Sequence, residues 1–113
     1  MAAGRAFFDE QIAYLQRRDT DGLIDNHYLP DAVLISPERM VRGTQALKAY
    51  FRGYVEMLGA FSVESVDVFM ETEGAILFEA TVQSNLGRAR VYDGFALRDG
   101  RISHHFSGMI QRL

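Results

Sequence analysis

The chain has 113 residues, 48% of them hydrophobic and 24% charged, with a formal net charge of −3 and no cysteine. This fits one globular domain, residues 1–113, able to build its own core, and it excludes disulfides and thiolate metal sites. No run of Lys or Arg gives the electrostatic footprint of a nucleic-acid binder, and no apolar run nears the ~20 residues needed to cross a bilayer.

The N-terminal "MAAGRAFFDEQ" has no long apolar stretch and acquires acids early, unlike a secretory signal. A soluble, cytoplasmic domain is expected. From about Gly4 to Arg18, Phe8, Ile12 and Leu15 recur at helical spacing, with Phe7 and Tyr14 widening the stripe. After "RRDTDG", Asp19 or Thr20 can cap a short helix running to about His27 or Tyr28, with Pro30 as its stop. "DAVLIS" reads as a strand ended by Pro37, and "PERMVRG" as a loop or minor strand.

Thr44 is a candidate N-cap for the longest helix. Ala46, Leu47, Tyr50, Phe51, Tyr54, Val55 and Leu58 follow its apolar template, and Gly59 sits at the C-terminal end. The period then changes to two. "AFSVESVDVFMET", "GAILFEATVQS", "RARVYDGFALR" and "RISHHFSGMIQRL" read as four antiparallel strands, separated at Glu73-Gly74, Asn85-Leu86-Gly87 and Asp99-Gly100. The expected class is α+β: a curved, mostly antiparallel sheet forming a cup covered by the N-terminal helices, with a pocket between them.

Within the third of these strands Ala89, Val91, Asp93, Phe95 and Leu97 share a face, so a carboxylate interrupts an apolar stripe. Burying it is costly unless it is paired, hydrogen-bonded or protonated.

The order of elements, "YLPDAVLISPERMVRGTQALKAYF" and "YDGFALRDGRISHHFSG" together resemble the nuclear-transport-factor-2-like superfamily. The nearest groups are the ketosteroid-isomerase-like and SnoaL-like polyketide-cyclase proteins. The resemblance rests on the Asp-Ala opening of the first strand, the Gly before the long helix and the Asp-Gly-Arg-Ile turn. It implies a cup-shaped pocket for an apolar, oxygenated small molecule. The ketosteroid isomerases carry an aspartate base before a proline, where this chain has Ser36. They carry a tyrosine donor on the first helix, where this chain has Gln11. Their second oxyanion donor is an aspartate two residues before an aromatic, a position matched by Asp93 and Phe95. Where cyclase and epoxide-hydrolase relatives hold a carboxylate on the last strand, this chain offers His105 and Ser107.

The last hairpin admits two readings. A two-residue Asp99-Gly100 turn sets Asp93 opposite Phe106 and turns Ile102, His104, Phe106 and Ile110 inward. A three-residue Arg98-Asp99-Gly100 loop sets Asp93 opposite His105 and turns Ser103, His105, Ser107 and Met109 inward. The resemblance favours the second, which leaves Ile102, Phe106 and Ile110 on the convex face as a homodimer surface. Asp93 would then orient the His105 ring, and His105 would exchange protons with a substrate.

Asp93 and His105 are the candidate catalytic pair. Gln11, Tyr14, Ser36, Tyr50, Tyr54, Phe78, Phe95, Ser107 and Met109 are the candidate substrate-binding residues. Each has a plainer reading: a structural Asp–His bond, Ser36 as a turn residue, Gln11 as an exposed helix residue, the tyrosines as core, and His27 as a helix end. No cofactor is implied, since there is no Gly-rich phosphate loop and no metal-ligand spacing. Isomerisation, cyclisation, dehydration and epoxide opening all fit. So do a non-catalytic binding module and a dimerisation module with a filled interior. A cavity of several hundred Å³ would favour a ligand site, and a cup filled with side chains the last of these.

Overall fold

The computed structural model describes residues 3–113; Met1 and Ala2, the start of the domain read from the sequence, lie outside them. The described residues form helices α1 (Ala3–Gln16), α2 (Thr20–His27) and α3 (Thr44–Leu58) and strands β1 (Tyr28–Ile35), β2 (Met40–Arg42), β3 (Ser62–Thr72), β4 (Ala75–Ser84), β5 (Gly87–Arg98) and β6 (Arg101–Arg112). The strands make one sheet in the order β2-β1-β6-β5-β4-β3. β1 runs parallel to β6, and the other neighbours are antiparallel. This is the expected α+β cup.

Local chemistry sets the joints. Asp19 caps α2 by accepting from the Gly22 N–H at 3.0 Å. Pro30 does not stop that helix, which ends at His27. It lies inside β1, where the pairing with β6 skips from Tyr28–Ile102 to Val33–His104, so its missing N–H interrupts no ladder bond at a paired position. The N-cap of α3 is Gly43 at φ 90° and not Thr44. At the other end the Arg18 guanidinium donates to the carbonyls of Val55 and Gly59 at 2.8 and 3.2 Å, tying α1's exit to the end of α3.

Aromatic contacts show how the helices lie over the sheet. Phe8 of α1 packs edge-on against Phe78 of β4 at 4.5 Å, while Phe51 of α3 sits 5.9 Å from Tyr28 of β1 and 6.3 Å from His105 of β6. The two helices therefore cover different halves of the concave face, and a gap remains between them over β5 and β6.

The last hairpin follows neither expected register. Its turn is the two-residue one, with Asp99 and Gly100 both at positive φ (55° and 76°) and Arg98 paired with Arg101. One pair later, Leu97 still faces Ile102, but Ala96 faces His104, so Ser103 is an extra residue in β6. Its hydroxyl donates to the Ala96 carbonyl at 3.1 Å. The bulge lets Ile102 stay inside, fully buried, and still turns His105 inward, leaving His104 exposed. Asp93 consequently pairs with Ser107, not with Phe106 or His105. This bulge predicts that diethyl pyrocarbonate modifies His104 at least about tenfold faster than His105 in the folded protein, as read by peptide mass spectrometry. Equal rates, or faster reaction at His105, would show that the bulge is absent.

Candidate functional site

Between α1, α3 and the concave face lies an inner cavity of about 90 Å³. Leu34, Phe51, Tyr54, Phe78, Phe95 and Val91 give it a mostly apolar wall, and Ser84, Asp93, His105 and Ser107 are its polar members on the sheet. It is smaller than the several hundred Å³ expected of a ligand site and than the roughly 150 Å³ apolar cavity known to take up benzene. It does not end there. An outer groove of about 270 Å³ shares Tyr50, Tyr54, Asp93 and Ser107 with it. Asp93 stands at the junction.

His105 is opposite Phe95, so its ring reaches Asp93 diagonally across the ladder. The His105 Nε2 to Asp93 Oδ1 distance is 2.6 Å, just shorter than the roughly 2.7–2.9 Å of charge-assisted N–H···O bonds. The His105 side chain is 5% exposed and that of Asp93 20%. The other ring nitrogen, Nδ1, lies 2.8 Å from the Tyr28 hydroxyl. Both nitrogens of His105 are thus occupied by protein partners. Among the described residues nothing donates to Asp93 Oδ2. This inverts the arrangement expected from the sequence: the free polar atom belongs to Asp93, and His105 does the orienting.

The remaining candidates divide by position. Tyr50, Tyr54, Phe78, Phe95 and Ser107 line the inner cavity, and Gln11 reaches it while making buried hydrogen bonds to Tyr28 and His27. Gln11 is 2% exposed, contrary to its reading as a surface helix residue. Ser36 and Met109 line only the outer groove. Ser36 closes a turn through Arg39, its N–H donating to that carbonyl at 2.9 Å, and Met109, opposite Val91 beside a register shift in the β5–β6 pairing, is 55% exposed. Tyr14 lies away from the cavity, edge-on to His27 at 5.3 Å, with its hydroxyl accepting from Asn26. It belongs to the packing of α1 on α2. The sequence reading missed Tyr28, a fully packed residue at the first position of β1 that it treated only as a helix end. No local pattern marks it, since its role arises from the parallel pairing of β1 with β6.

Charges follow from these surroundings. Burial pushes the Asp93 carboxyl above its ordinary range, and the His105 bond draws it part of the way back. Burial also raises the Tyr28 and Tyr54 phenols well above theirs and Tyr50 less so, keeping all three protonated as donors. The Tyr50 and Tyr54 hydroxyls make no hydrogen bond among the described residues. No group of three or more metal-ligating side chains occurs among the described residues, and no described helix is long and apolar enough to cross a membrane.

The pattern of SnoaL-like domains matches residues 5–105. The chain belongs to the SnoaL-like family. No curated protein matches it. Among solved structures, a candidate isomerase of the SnoaL-like family from Agrobacterium tumefaciens superposes with a TM-score of 0.82 at 14% identity, over 98% of this chain and 100% of that one. A candidate polyketide cyclase from Sinorhizobium meliloti gives 0.78 at 18%, over 91% and 94%. TerC, co-crystallised with polyporic acid, gives 0.77 at 16%, over 95% and 91%. At such identities the SnoaL-like neighbours speak for the fold alone.

The raised Asp93 carboxyl has a consequence for stability. The folded chain keeps this proton to higher pH than the unfolded chain, so the group's contribution is present in acid and lost as pH rises through its folded pKa. Asp93→Asn removes the titration and keeps an acceptor oxygen for His105. Its stability relative to the wild type should therefore increase as pH rises from about 4 toward about 7. Urea unfolding of both proteins across that range checks it, and a difference independent of pH would contradict it.

Proposed function

We propose that this SnoaL-like protein is a cofactor-independent enzyme that moves a proton on an apolar, oxygenated small molecule, with Asp93 as the group that touches the substrate. The observation that carries this is the free Oδ2 of Asp93 at the junction of an apolar cavity and an open groove, on a carboxyl whose proton affinity burial has raised. A carboxylate of raised pKa is a better base at neutral pH than an exposed one.

In this reading the groove takes the ring and most of the molecule, and the smaller inner cavity takes only a small apolar substituent beside Asp93. Oδ2 removes a proton from a carbon beside a carbonyl. The C–H electron pair moves into the new C=C bond and the carbonyl oxygen becomes an enolate oxygen. Tyr50, Tyr54 or Ser107 donates to that oxygen. With an unsaturated ketone Asp93 returns the proton at the far carbon of the dienolate as the double bonds shift. In a cyclisation the enolate carbon attacks a second carbonyl carbon of the same molecule, whose C=O π pair moves to its oxygen and takes the proton from Asp93. The family's isomerases and cyclases, and the organic acid used with TerC, support this class of ligand without naming one. The small inner cavity favours one other reading, a non-catalytic binder in which Asp93 only orients its ligand.

We also assign the convex face to a second copy of the chain. Ile35, Phe106, Leu77 and Met70 form a row in register across the sheet, with Gly94 between Phe106 and Leu77, and all four are exposed, Met70 by 65%. Ile102, which the sequence placed on this face, is buried inside. Sedimentation should find a dimer in the wild type and a monomer in Phe106→Arg. A wild-type monomer would refute the assignment.

The catalytic reading is tested without knowing the natural substrate. A panel of small aryl and alicyclic ketones is first screened for binding by thermal shift. Binders are then incubated with the protein in D2O, and deuterium uptake at the α-carbon is followed by NMR. Asp93→Asn should slow exchange by at least about 100-fold while the binders still stabilise it. Bound ketones that exchange no faster than in buffer, or equally with both proteins, would leave only the binding module.

A further inference from the structure

Asp93 and His105 are the inner end of a longer chain of hydrogen bonds. From Asp93 Oδ1 it runs to His105 Nε2 at 2.6 Å, from His105 Nδ1 to the Tyr28 hydroxyl at 2.8 Å, and on to Gln11 Nε2 at 2.9 Å. Gln11 Oε1 meets His27 Nδ1 at 2.8 Å, and His27 Nε2 meets Glu10 Oε1 at 3.2 Å. Tyr28, Gln11, His27 and His105 are all buried, at 2–4% exposure, while the Glu10 side chain is 68% exposed. The chain thus connects the pocket to the surface through residues from α1, α2, β1, β6 and β5.

Counting protons gives this chain a direction. An amide N–H can only donate, so Gln11 fills a lone pair of the Tyr28 oxygen. Tyr28 has a single proton, and the acceptor within its reach is His105 Nδ1. A ring nitrogen that accepts carries no proton, so a neutral His105 holds its proton on Nε2 and donates it to Asp93. At the outer end the Gln11 carbonyl can only accept, so His27 Nδ1 is the donor there. Turning the Gln11 amide over would reverse the Tyr28 step and put a proton on His105 Nδ1, leaving a neutral ring that accepts from Asp93 or a doubly protonated ring that donates to it. The orientation of one buried amide thus sets which nitrogen of a neutral His105 carries the proton, and with it whether that ring donates to Asp93 or accepts from it.

We propose that Gln11 and Tyr28 are positioning residues that act through His105 to hold Asp93 as a hydrogen-bond acceptor, with His27 and Glu10 anchoring the Gln11 amide in that orientation. This deepens the proton-transfer reading of the pocket by assigning Asp93 the role of base. The direction of the chain stands or falls independently of turnover. His27 is faced by Glu10, Gln11 and Tyr14 and stacked on Phe7 at 4.0 Å. Its bonds to Gln11 Oε1 and to Glu10 close together only when the ring carries both protons, against the lowering that burial imposes on it and with the support of Glu10. A neutral ring donating to Glu10 would accept at Nδ1 and turn the Gln11 amide over, so a doubly protonated His27 is also required in the spectrum that reports on His105. Gln11 stands where the ketosteroid isomerases present a tyrosine to the substrate; in this chain that position serves the protein's own base.

The test is the tautomer of His105. Long-range 1H–15N correlation NMR on uniformly 15N-labelled protein at about pH 7 distinguishes the two neutral forms and the doubly protonated ring. The expected result is the Nε2–H form in the wild type. Tyr28→Phe should release the tautomer, moving the Nδ1 shift toward that of an unbonded imidazole nitrogen. Gln11→Glu replaces the donor with an acceptor of the same size and should convert His105 to the Nδ1–H or doubly protonated form. A wild-type His105 protonated on Nδ1, or ring shifts unchanged in Gln11→Glu and Tyr28→Phe, would overturn the proposal; the wild-type spectrum decides it even if a variant fails to fold. If the tautomer is as expected and Asp93→Asn exchanges deuterium like the wild type, the chain's direction holds and the catalytic reading fails.

Discussion

A carboxylate placed on the apolar face of a strand is the constraint around which this structure is arranged. Removing an unpaired charge from water costs several kcal/mol, so the fold must supply a partner for Asp93 or force a proton onto it. The partner is His105, and bringing its ring to 2.6 Å requires the Ser103 bulge. The bulge in turn needs a tight turn at Asp99-Gly100 to keep Ile102 in the core. His105 needs something for its other nitrogen, and Tyr28 provides it because β1 runs parallel to β6 and begins immediately after α2. The topology of the sheet and the chemistry of the pocket are thus one problem solved together.

The elements themselves were largely legible in the sequence, because helical and strand periods report which faces must be buried. The joints were less so. Pro30 reads locally as a helix stop, yet the end of α2 is set by the start of sheet pairing at Tyr28. The last hairpin offered two regular registers, and the structure uses the turn of one with the inward face of the other. A bulge of one residue makes that possible, and nothing in "GRISHH" marks it beyond the conflict between Ile102 and His105, which both belong inside.

The site was legible in part for the same reason. Asp93 stands out because its strand alternates cleanly, and His105 because the resemblance points to the last strand. Tyr28 and His27 act through contacts 77 and 16 residues away in sequence, to His105 and Gln11, and no local period records those. Gln11 looked like a lost tyrosine. In the folded chain it is a donor turned inward to the protein's own network. Membership of the SnoaL-like family agrees with all of this and leaves the reaction to be argued from Asp93, its free oxygen and the phenols beside it.

The central claim is that the gap over β5 and β6 receives a small apolar, oxygenated molecule against Asp93. A crystal structure of the protein soaked with a ketone that raises its melting temperature tests this most directly. The account predicts the ring in the outer groove beside Tyr50 and Tyr54, a small apolar substituent reaching the inner cavity, and the oxygenated end within hydrogen-bond reach of Tyr50, Tyr54 or Ser107, beside Asp93 Oδ2. A stabilising ketone found only on the convex face, or in the outer groove with Asp93 untouched, would contradict it.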